Sequence, residues 1–198
     1  LFVDTGDMLF PAANIPKNRI TSLSLIARDI FQALESLGMT IFTPGDQDFA
    51  RGFSFINDLL TNSKVQILVS NLKDNHLKNH QKMLVIDRPP HQFILFGVLD
   101  PQLLRPELQA AFEDPTLALK KLLSNLTNAP DPFRRIIILS HQGMDADEEL
   151  AKAFPQIDWI IGAHSSSFTY APKEIGKTKL VQVLSKNHYL GEVSFAHR

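Results

Sequence analysis

Four separate apolar segments of this chain are each followed by an aspartate or a histidine. The segments cover residues 1–3, 39–42, 135–139 and 158–161, and each has the length and composition of a buried strand. The residues that follow them are Asp7, Asp46, His141 and His164. An open α/β sheet binds its ligand beyond the carboxyl ends of its strands. These four side chains are therefore predicted to share one cleft.

The central stretch of this pattern is residues 43–49, with the sequence Thr-Pro-Gly-Asp-Gln-Asp-Phe. It follows a short buried strand and precedes an amphipathic helix. A Pro-Gly break at the end of a strand indicates a tight turn. Two carboxylates in that turn, those of Asp46 and Asp48, would lie at the ligand-binding edge of the sheet.

The order of predicted elements indicates a mixed α/β sandwich with helices on the outside. Helices are predicted at residues 20–37, 53–61, 116–128 and 145–154. Further strands are predicted at residues 66–71, 83–87, 92–98, 180–184 and 189–196, the second and third of them as an antiparallel hairpin. The first helix carries an apolar stripe at Ile20, Leu23, Ile26, Ile30, Leu34 and Leu37. We find no interdomain linker, and the chain is interpreted as a single domain over residues 1–198.

Composition limits the partners and the metal ligands. The formal net charge of −1 provides no overall field that attracts nucleic acid or an anionic membrane. No apolar run approaches the roughly 18 residues of a transmembrane helix. Because the chain has no cysteine, a metal site must use imidazole and carboxylate groups. Two of each suit Zn²⁺, Mn²⁺ or Fe²⁺.

Each of the four residues also has an ordinary structural explanation. Either aspartate could stabilise a turn, and either histidine could be a hydrogen-bonded core residue. The joint pattern is what favours a metal site, since turns alone do not explain metal-type ligands at the ends of four strands. A plain α/β core with structural histidines stays open as a third alternative.

In its motifs the chain resembles the calcineurin-like metallophosphoesterases. The similarity is strongest to the N-terminal domain of bacterial 5′-nucleotidases and UDP-sugar hydrolases, and it covers almost the whole chain. The residues that carry it are Asp4-Thr5-Gly6-Asp7, Gly45-Asp46-Gln47-Asp48-Phe49, Ser70-Asn71, Ser140-His141, Gly162-Ala163-His164-Ser165, and the last two predicted strands. This resemblance implies a four-layer α/β sandwich of mixed β-sheets flanked by helices.

The resemblance also implies two metal ions bridged by an aspartate. Asp7 would be the bridging carboxylate, and Asp46, His141 and His164 would complete the shell of the second metal. The first metal would take its other ligands from an Asp-x-His motif before Leu1 and from the position of Ser166. A chain that opens inside a strand is expected to lack a preceding strand and that motif.

Three positions depart from the family pattern. Asp46 replaces an asparagine and remains an oxygen ligand. Gln47 replaces a histidine that acts on the phosphoryl transition state or the leaving group, and a neutral amide cannot supply a proton. Ser166 replaces a stronger ligand. We assign Asp46, Gln47 and Asp48 to the catalytic stretch. The chain is expected to bind one or two divalent ions, or none.

Two functions follow from these residues. The first is a metal-dependent phosphoesterase that hydrolyses a phosphate-ester small molecule weakly or with altered metal use. The second is an inactive binding or scaffold module for a protein partner in an envelope or surface assembly. The resemblance implies an extracytoplasmic location, in the periplasm or at the cell surface, for either. By comparison with the nucleotidases, we expect no nucleotide-specificity domain in this chain after the predicted metal site.

Other polar and aromatic groups are given simpler interpretations. His76 and His80 are expected in a solvated loop, and the acidic residues around Asp147 at the N-terminus of a helix. Phe49 is expected in the core. Phe10 and Phe168 are left open as residues that could line the cleft.

Overall fold

The computed structural model describes residues 1–73, 76–126, 132–184 and 189–195, and within them two β-sheets lie between helices. The first sheet is parallel and consists of β1 (Phe2–Asp4), β2 (Met39–Phe42) and β3 (Gln66–Ile67), in that order. The second consists of β4 (Leu84–Arg88), β5 (His91–Leu99), β6 (Arg134–His141), β7 (Trp159–Gly162), β8 (Lys173–Ile175) and β9 (Thr178–Gln182). Its strand order is β4-β5-β6-β7-β9-β8, with parallel pairing from β5 to β9 and antiparallel pairs at both edges.

Within the described residues, five α-helices cover the outer faces of the sheets. They are α1 (Ile20–Ser36), α2 (Gly52–Leu59), α3 (Pro106–Gln109), α4 (Pro115–Ser124) and α5 (Met144–Ala153). Short 3₁₀ helices occupy Lys17–Arg19, Gln47–Arg51, Leu60–Asn62 and Pro101–Leu103. Asp114 caps α4 by accepting a hydrogen bond from the backbone N–H of Leu117.

The central strands have two buried faces, which explains their nearly continuous apolar sequences. In β6, Ile136 and Ile138 pack with the helices, whereas Ile137 and Leu139 face the other sheet. In β2 the side chain of Phe42 faces the helices, and that of Ile41 enters the layer between the sheets. The predicted four-layer α/β sandwich is therefore confirmed.

The first predicted helix is present, but its buried face differs from the predicted one. Leu23, Ala27 and Phe31 are buried, whereas Ile26 is 49% exposed and Leu37 is 75% exposed. Leu23 and Leu34 of the predicted stripe do face the core, whereas Ile26 and Leu37 do not. The buried face is shifted because Ala27 and Phe31 form a neighbouring stripe that also has helical spacing. Leu37 lies past the end of the helix, beside Gly38, which adopts a positive φ.

Two predicted strands also differ from the structure. The strand predicted at residues 66–71 is regular only over Gln66–Ile67, because Ser70 and Asn71 bond with β5 of the other sheet. No strand is present in residues 189–195, and residue 196 lies outside the described part. Both edges of β9 are already paired, with β7 and β8, so no position beside it is left for a further strand. The end of the helix predicted at 116–128 likewise lies outside the described residues.

The two sheets are joined where β3 ends and β5 passes. Ser70 exchanges hydrogen bonds with the backbone of Gly97, and a Cβ atom on Gly97 would lie 2.0 Å from the Leu68 carbonyl oxygen. Asn71 is 1% exposed and bonds to both backbone groups of Leu99, and also to the carbonyl of Glu113. This joint holds the first sheet against the end of β5, beside His141 of β6.

The described helices do not include one that is both long enough and apolar enough to cross a bilayer.

Replacing Asn71 with alanine is expected to destabilise the protein by about 2–4 kcal/mol, because it leaves buried backbone groups of Leu99 and Glu113 without partners. Urea unfolding measures the change. Asn57→Ala is the matched control, since Asn57 makes its two hydrogen bonds at the surface. A loss no larger than that of the control would show that the joint does not contribute to stability.

Candidate metal centre

The structure brings Asp7, Asp46, His141 and His164 together at the carboxyl ends of β1, β2, β6 and β7. One ligand-type atom from each residue lies within 4.8 Å of all the others. Among the described residues, no other group of three or more such side chains meets this distance. The cluster is sheltered on one side and open on the other, since the His141 side chain is 1% exposed and that of His164 is 33% exposed.

The turns that present these residues adopt unusual backbone conformations. Asp7 has φ of 65° and His164 has φ of 73°, a region that side-chain-bearing residues rarely occupy. Such conformations persist only where surrounding contacts over-determine them, and they concentrate at functional sites.

Glycine is required where the first two turns meet. A Cβ atom on Gly45 would lie 2.4 Å from both Asp7 Oδ1 and His141 Cε1. A Cβ atom on Gly6 would lie 2.3 Å from the backbone nitrogen of Gly45. The absence of these two side chains lets the turns approach closely enough to surround the His141 ring.

His141 is oriented by a backbone carbonyl. Its Nδ1 lies 2.7 Å from the carbonyl oxygen of Thr5, which can only accept, so Nδ1 carries the hydrogen. Its Nε2 then faces Asp7 Oδ2 at 3.3 Å and Asp46 Oδ1 at 3.2 Å. A backbone carbonyl on one imidazole nitrogen is the usual outer partner of a histidine whose other nitrogen binds a metal.

The electrostatics of the cluster favour a positive charge between the carboxylates. Burial alone would lower the pKa of His141, but hydrogen bonds with Asp46 and Asp7 outweigh it and raise the pKa to about 10. Burial opposes ionisation of Asp46, yet hydrogen bonds from His141 and His164 hold its pKa well below the usual range. His164 Nδ1 lies 3.2 Å from the same Asp46 Oδ1. Two carboxylates therefore point at a place where a proton or a cation is needed.

Asp48 lies beneath the cluster rather than in it. The residue is fully buried, and its carboxylate accepts hydrogen bonds from the backbone N–H groups of Asp7, Leu9 and Gly45, at 2.7, 2.8 and 2.8 Å. Burial, reinforced by the charge of Asp7, raises the pKa of Asp48 to about 7. Its two oxygens are used to hold the first two turns together.

The remaining predicted residues lie at different distances from the cluster. Gln47 is half-buried, and its backbone N–H donates to Asp7 Oδ1 at 2.9 Å, so its side chain starts beside the site. Ser166 is exposed. Its neighbour Ser165 makes hydrogen bonds with Gln182 and with the backbone of Met144.

The structure also shows where the phenylalanines and the other two candidate histidines lie. Phe10 is buried against Phe55, and Phe49 is buried, so both belong to the core. The His76 ring stacks on Phe53, with centroids 5.0 Å apart, and His80 Nδ1 bonds to the Leu77 carbonyl. Phe168 lies in the loop after His164, and its ring contacts the rings of Tyr170 and Tyr189.

The sequence analysis gave no role in the site to two nearby carboxyl groups, those of the half-buried Asp4 and the buried Asp147. Burial raises the pKa of Asp4 to about 6, and its Oδ1 accepts from the backbone N–H of Gly6 at 2.8 Å. Asp147 lies in the first turn of α5, as predicted, but it is fully buried. Its Oδ1 accepts from Ser140 and Gln142, the residues on either side of His141.

A signal for Asp147 was present in the sequence. Asp147, Leu150, Ala151 and Phe154 have helical spacing and together form the buried face of α5 and its C-terminal end. A carboxylate on the apolar face of a helix indicates a buried partner, and the Ser-His-Gln end of β6 supplies it.

Comparison with known proteins agrees with this architecture. No family model matches the chain. A mouse 5′-nucleotidase is 26% identical over 180 residues, which cover 86% of this chain and 30% of the mouse protein. The sulfate thiohydrolase SoxB of Thermus thermophilus is 21% identical with a TM-score of 0.70, covering 92% of this chain and 33% of that one. The calcineurin-like phosphoesterase YfkN of Bacillus subtilis is 16% identical with a TM-score of 0.72, covering 93% of this chain and 67% of that one.

These similarities confirm the resemblance to 5′-nucleotidases and calcineurin-like phosphoesterases that the motifs predicted. The two solved structures establish the fold. The chain spans about a third of the length of the mouse protein and of SoxB.

Replacing Asp147 with asparagine is expected to stabilise the metal-free protein more at pH 8 than at pH 5. Burial, partly offset by hydrogen bonds from Ser140 and Gln142, raises the pKa of Asp147 to about 7, against 3.8 for an ordinary aspartate. Between these values the unfolded chain binds fewer protons than the folded one, so stability conferred by the protonated carboxyl falls as the pH rises. Asparagine does not titrate.

Urea unfolding in EDTA at the two pH values measures this effect, which should be of the order of a few kcal/mol. Asp145→Asn is the control, because Asp145 is exposed in the same helical turn. An equal difference at both pH values would contradict the prediction.

Proposed function

Because the chain has the fold of the calcineurin-like metallophosphoesterases, we propose that it is a metal-dependent phosphoesterase-like domain that hydrolyses phosphate esters. The observation that carries the proposal is the orientation of His141. The Thr5 carbonyl turns its Nε2 toward Asp7 and Asp46, and His164 Nδ1 lies against the same Asp46 oxygen.

The residues present fit a divalent cation. With the Nδ1 hydrogen donated to Thr5, His141 Nε2 points a lone pair at two carboxylate oxygens unless it carries a second proton. A cation in place of that proton would satisfy both imidazoles and both carboxylates. Asp7, Asp46, His141 and His164 would hold one ion of borderline hardness, such as Zn²⁺, Mn²⁺ or Fe²⁺. Such an ion, when bound, lowers the pKa of water and stabilises charge on phosphoryl oxygens.

The other residues of the cleft set the position of this group and limit the chemistry. Asp48 holds the turns of Asp7 and Gly45 through their backbone amides, so two of the turns around the ion would move as one unit. The backbone N–H of Gln47 donates to Asp7, so the Gln47 side chain starts beside the cluster. Its amide can donate a hydrogen bond to a phosphoryl oxygen but cannot protonate a leaving group. Esters with a weakly basic leaving group, such as aryl phosphates, are therefore the favoured substrates.

The relatives do not specify the ester. The mouse relative is a 5′-nucleotidase, whereas SoxB, with the same fold, is a sulfate thiohydrolase. A nucleotide substrate and an extracytoplasmic location are proposals that rest on resemblance alone. The fold places the cluster, and the groups around the leaving group decide which ester is cleaved.

A scaffold function is the second candidate, and two residues favour it. Gln47 cannot act as a general acid, and Ser166 is exposed and offers only a neutral hydroxyl to a metal. A module with one metal-type site would retain the fold and could bind a protein partner without turnover.

His164→Ala is expected to lower Mn²⁺-dependent hydrolysis of p-nitrophenyl phosphate about 10²-fold or more, because it removes one of the residues around Asp46. Nitrophenol release by the purified protein, with the N-terminus of the natural protein intact, measures the rate. His76→Ala is the control, since His76 stacks on Phe53 outside the cluster.

Equal release by the wild type and His164→Ala would contradict the phosphoesterase proposal. If His164→Ala then also keeps full function in cells, the result supports the scaffold.

Gln47→His is expected to raise the turnover number for an alkyl phosphate, whose basic leaving group needs a proton, by roughly 10²–10⁴-fold, and that for p-nitrophenyl phosphate by less, because it supplies a group that can exchange a proton in the cleft. Mn²⁺ affinity should change less than the turnover number, since the side chains of Asp7, Asp46, His141 and His164 are all retained. Steady-state kinetics and Mn²⁺ titration test the two parts. Gln102→His, in the 3₁₀ helix after β5, is the control for an added imidazole. Unchanged turnover would mean that the missing imidazole does not limit the rate.

A further inference from the structure

His164 needs an external restraint to stay in the cluster. It follows β7 by two residues, adopts φ of 73°, and is the most exposed of the imidazoles and carboxylates around Asp46. A left-handed conformation at a residue with a side chain is strained and persists only if neighbouring contacts enforce it. The approach of His164 Nδ1 to Asp46 Oδ1, at 3.2 Å, is one such contact, and it lies on the solvent-facing side.

The loop after His164 is held from below by Gln182, the last residue of β9. Gln182 is 2% exposed, and its side-chain amide donates to the backbone carbonyls of Ser165 and Ser167. Its Oε1 accepts from the Ser165 hydroxyl at 2.9 Å. All the hydrogen-bonding capacity of this amide that the structure describes is directed at the residues immediately following His164.

The backbone of Gln182 restrains the same loop at its far end. Its N–H donates to Thr169 Oγ1 at 2.9 Å, and its carbonyl accepts from the Thr169 N–H at 3.0 Å. Ser165 Oγ also accepts from the N–H of Met144 at 3.4 Å, where α5 begins. The loop from residue 165 to 169 is thus fastened to β9 at both ends and to α5 near its start.

We propose that Gln182 is a positioning residue that keeps His164 against Asp46 without itself contacting the metal. The proposal rests on the metal centre proposed above, because the consequence of misplacing His164 is weaker cation binding. Partners in the shell outside a metal ligand typically contribute 10–100-fold to affinity. Sequence spacing did not point to Gln182, since it occupies a buried strand position that is usually apolar.

The first test measures Mn²⁺ affinity in a double-mutant cycle. Gln182→Met keeps the volume of the side chain and removes its hydrogen bonds, and it is expected to weaken Mn²⁺ binding about 10–100-fold. In a His164→Ala background the same substitution should have no further effect, because Gln182 acts only through His164. Thr178→Val is the control, since Thr178 is buried on the same strand and bonds to the Ile157 carbonyl away from the site.

Ser165→Ala provides a milder variant in case Gln182→Met does not fold. It removes the link from the loop to Gln182 Oε1 and is expected to weaken Mn²⁺ binding by a smaller factor, again only when His164 is present. Wild-type affinity in both variants, or equal losses in the presence and absence of His164, would overturn the proposal.

A second readout requires no metal. The imidazole carbon-bound proton resonances of His164, assigned by their loss in His164→Ala, should shift and broaden in metal-free Gln182→Met and remain unchanged in Thr178→Val. Unchanged His164 resonances in Gln182→Met would overturn the positioning role. If the wild type binds no Mn²⁺ but these resonances do shift, the proposed metal function fails and the positioning role stands.

Discussion

The buried carboxylate of Asp48 is the interaction on which the arrangement of the cleft depends. It accepts hydrogen bonds from the backbone at Asp7, Leu9 and Gly45, and so joins the turns after β1 and β2. Parallel strands of one sheet place their ends at one edge, but they do not determine how the following turns approach each other. The hydrogen bonds of Asp48 fix how these turns approach each other, and Gly6 and Gly45 provide the space for close approach. A fully buried carboxyl group is costly, and the three backbone donors offset that cost.

In the second sheet, buried polar side chains likewise hold the two histidines in position. Asp147 accepts hydrogen bonds from the residues on both sides of His141, and Gln182 bonds to the loop that follows His164. The four clustered side chains thus stand on a lower layer of buried polar groups. A metal site requires its ligands to be held within a fraction of an ångström, and packing of apolar residues alone rarely gives this directional control. The polar layer explains how short irregular turns can hold defined positions.

The charge balance of the cluster connects this geometry with chemistry. Nearby carboxylates raise the pKa of His141, and the imidazoles lower that of Asp46, so the group as a whole attracts positive charge. That attraction is compatible with a catalytic cation or with a purely structural one. Gln47 bears on the choice between the two functions, because cleavage of an ester with a basic leaving group depends on a proton donor and cation binding does not. The same fold in a 5′-nucleotidase-like chain and in a sulfate thiohydrolase is consistent with this separation of binding from specificity.

Strand position and residue type in the sequence were sufficient to predict the α/β class, the order of most elements, and the candidates Asp7, Asp46, His141 and His164. Within each sheet the carboxyl ends of the parallel strands share an edge, which places Asp7 near Asp46 and His141 near His164. The junction between the two sheets brings these two pairs together, and their role as metal ligands stays a prediction. The inner face of α1, the absence of a strand in the described residues 189–195, and the roles of Asp48, Asp147 and Gln182 were decided only by the tertiary structure. Each depends on which buried groups meet across elements distant in the chain, and local spacing does not encode a hydrogen bond between such elements.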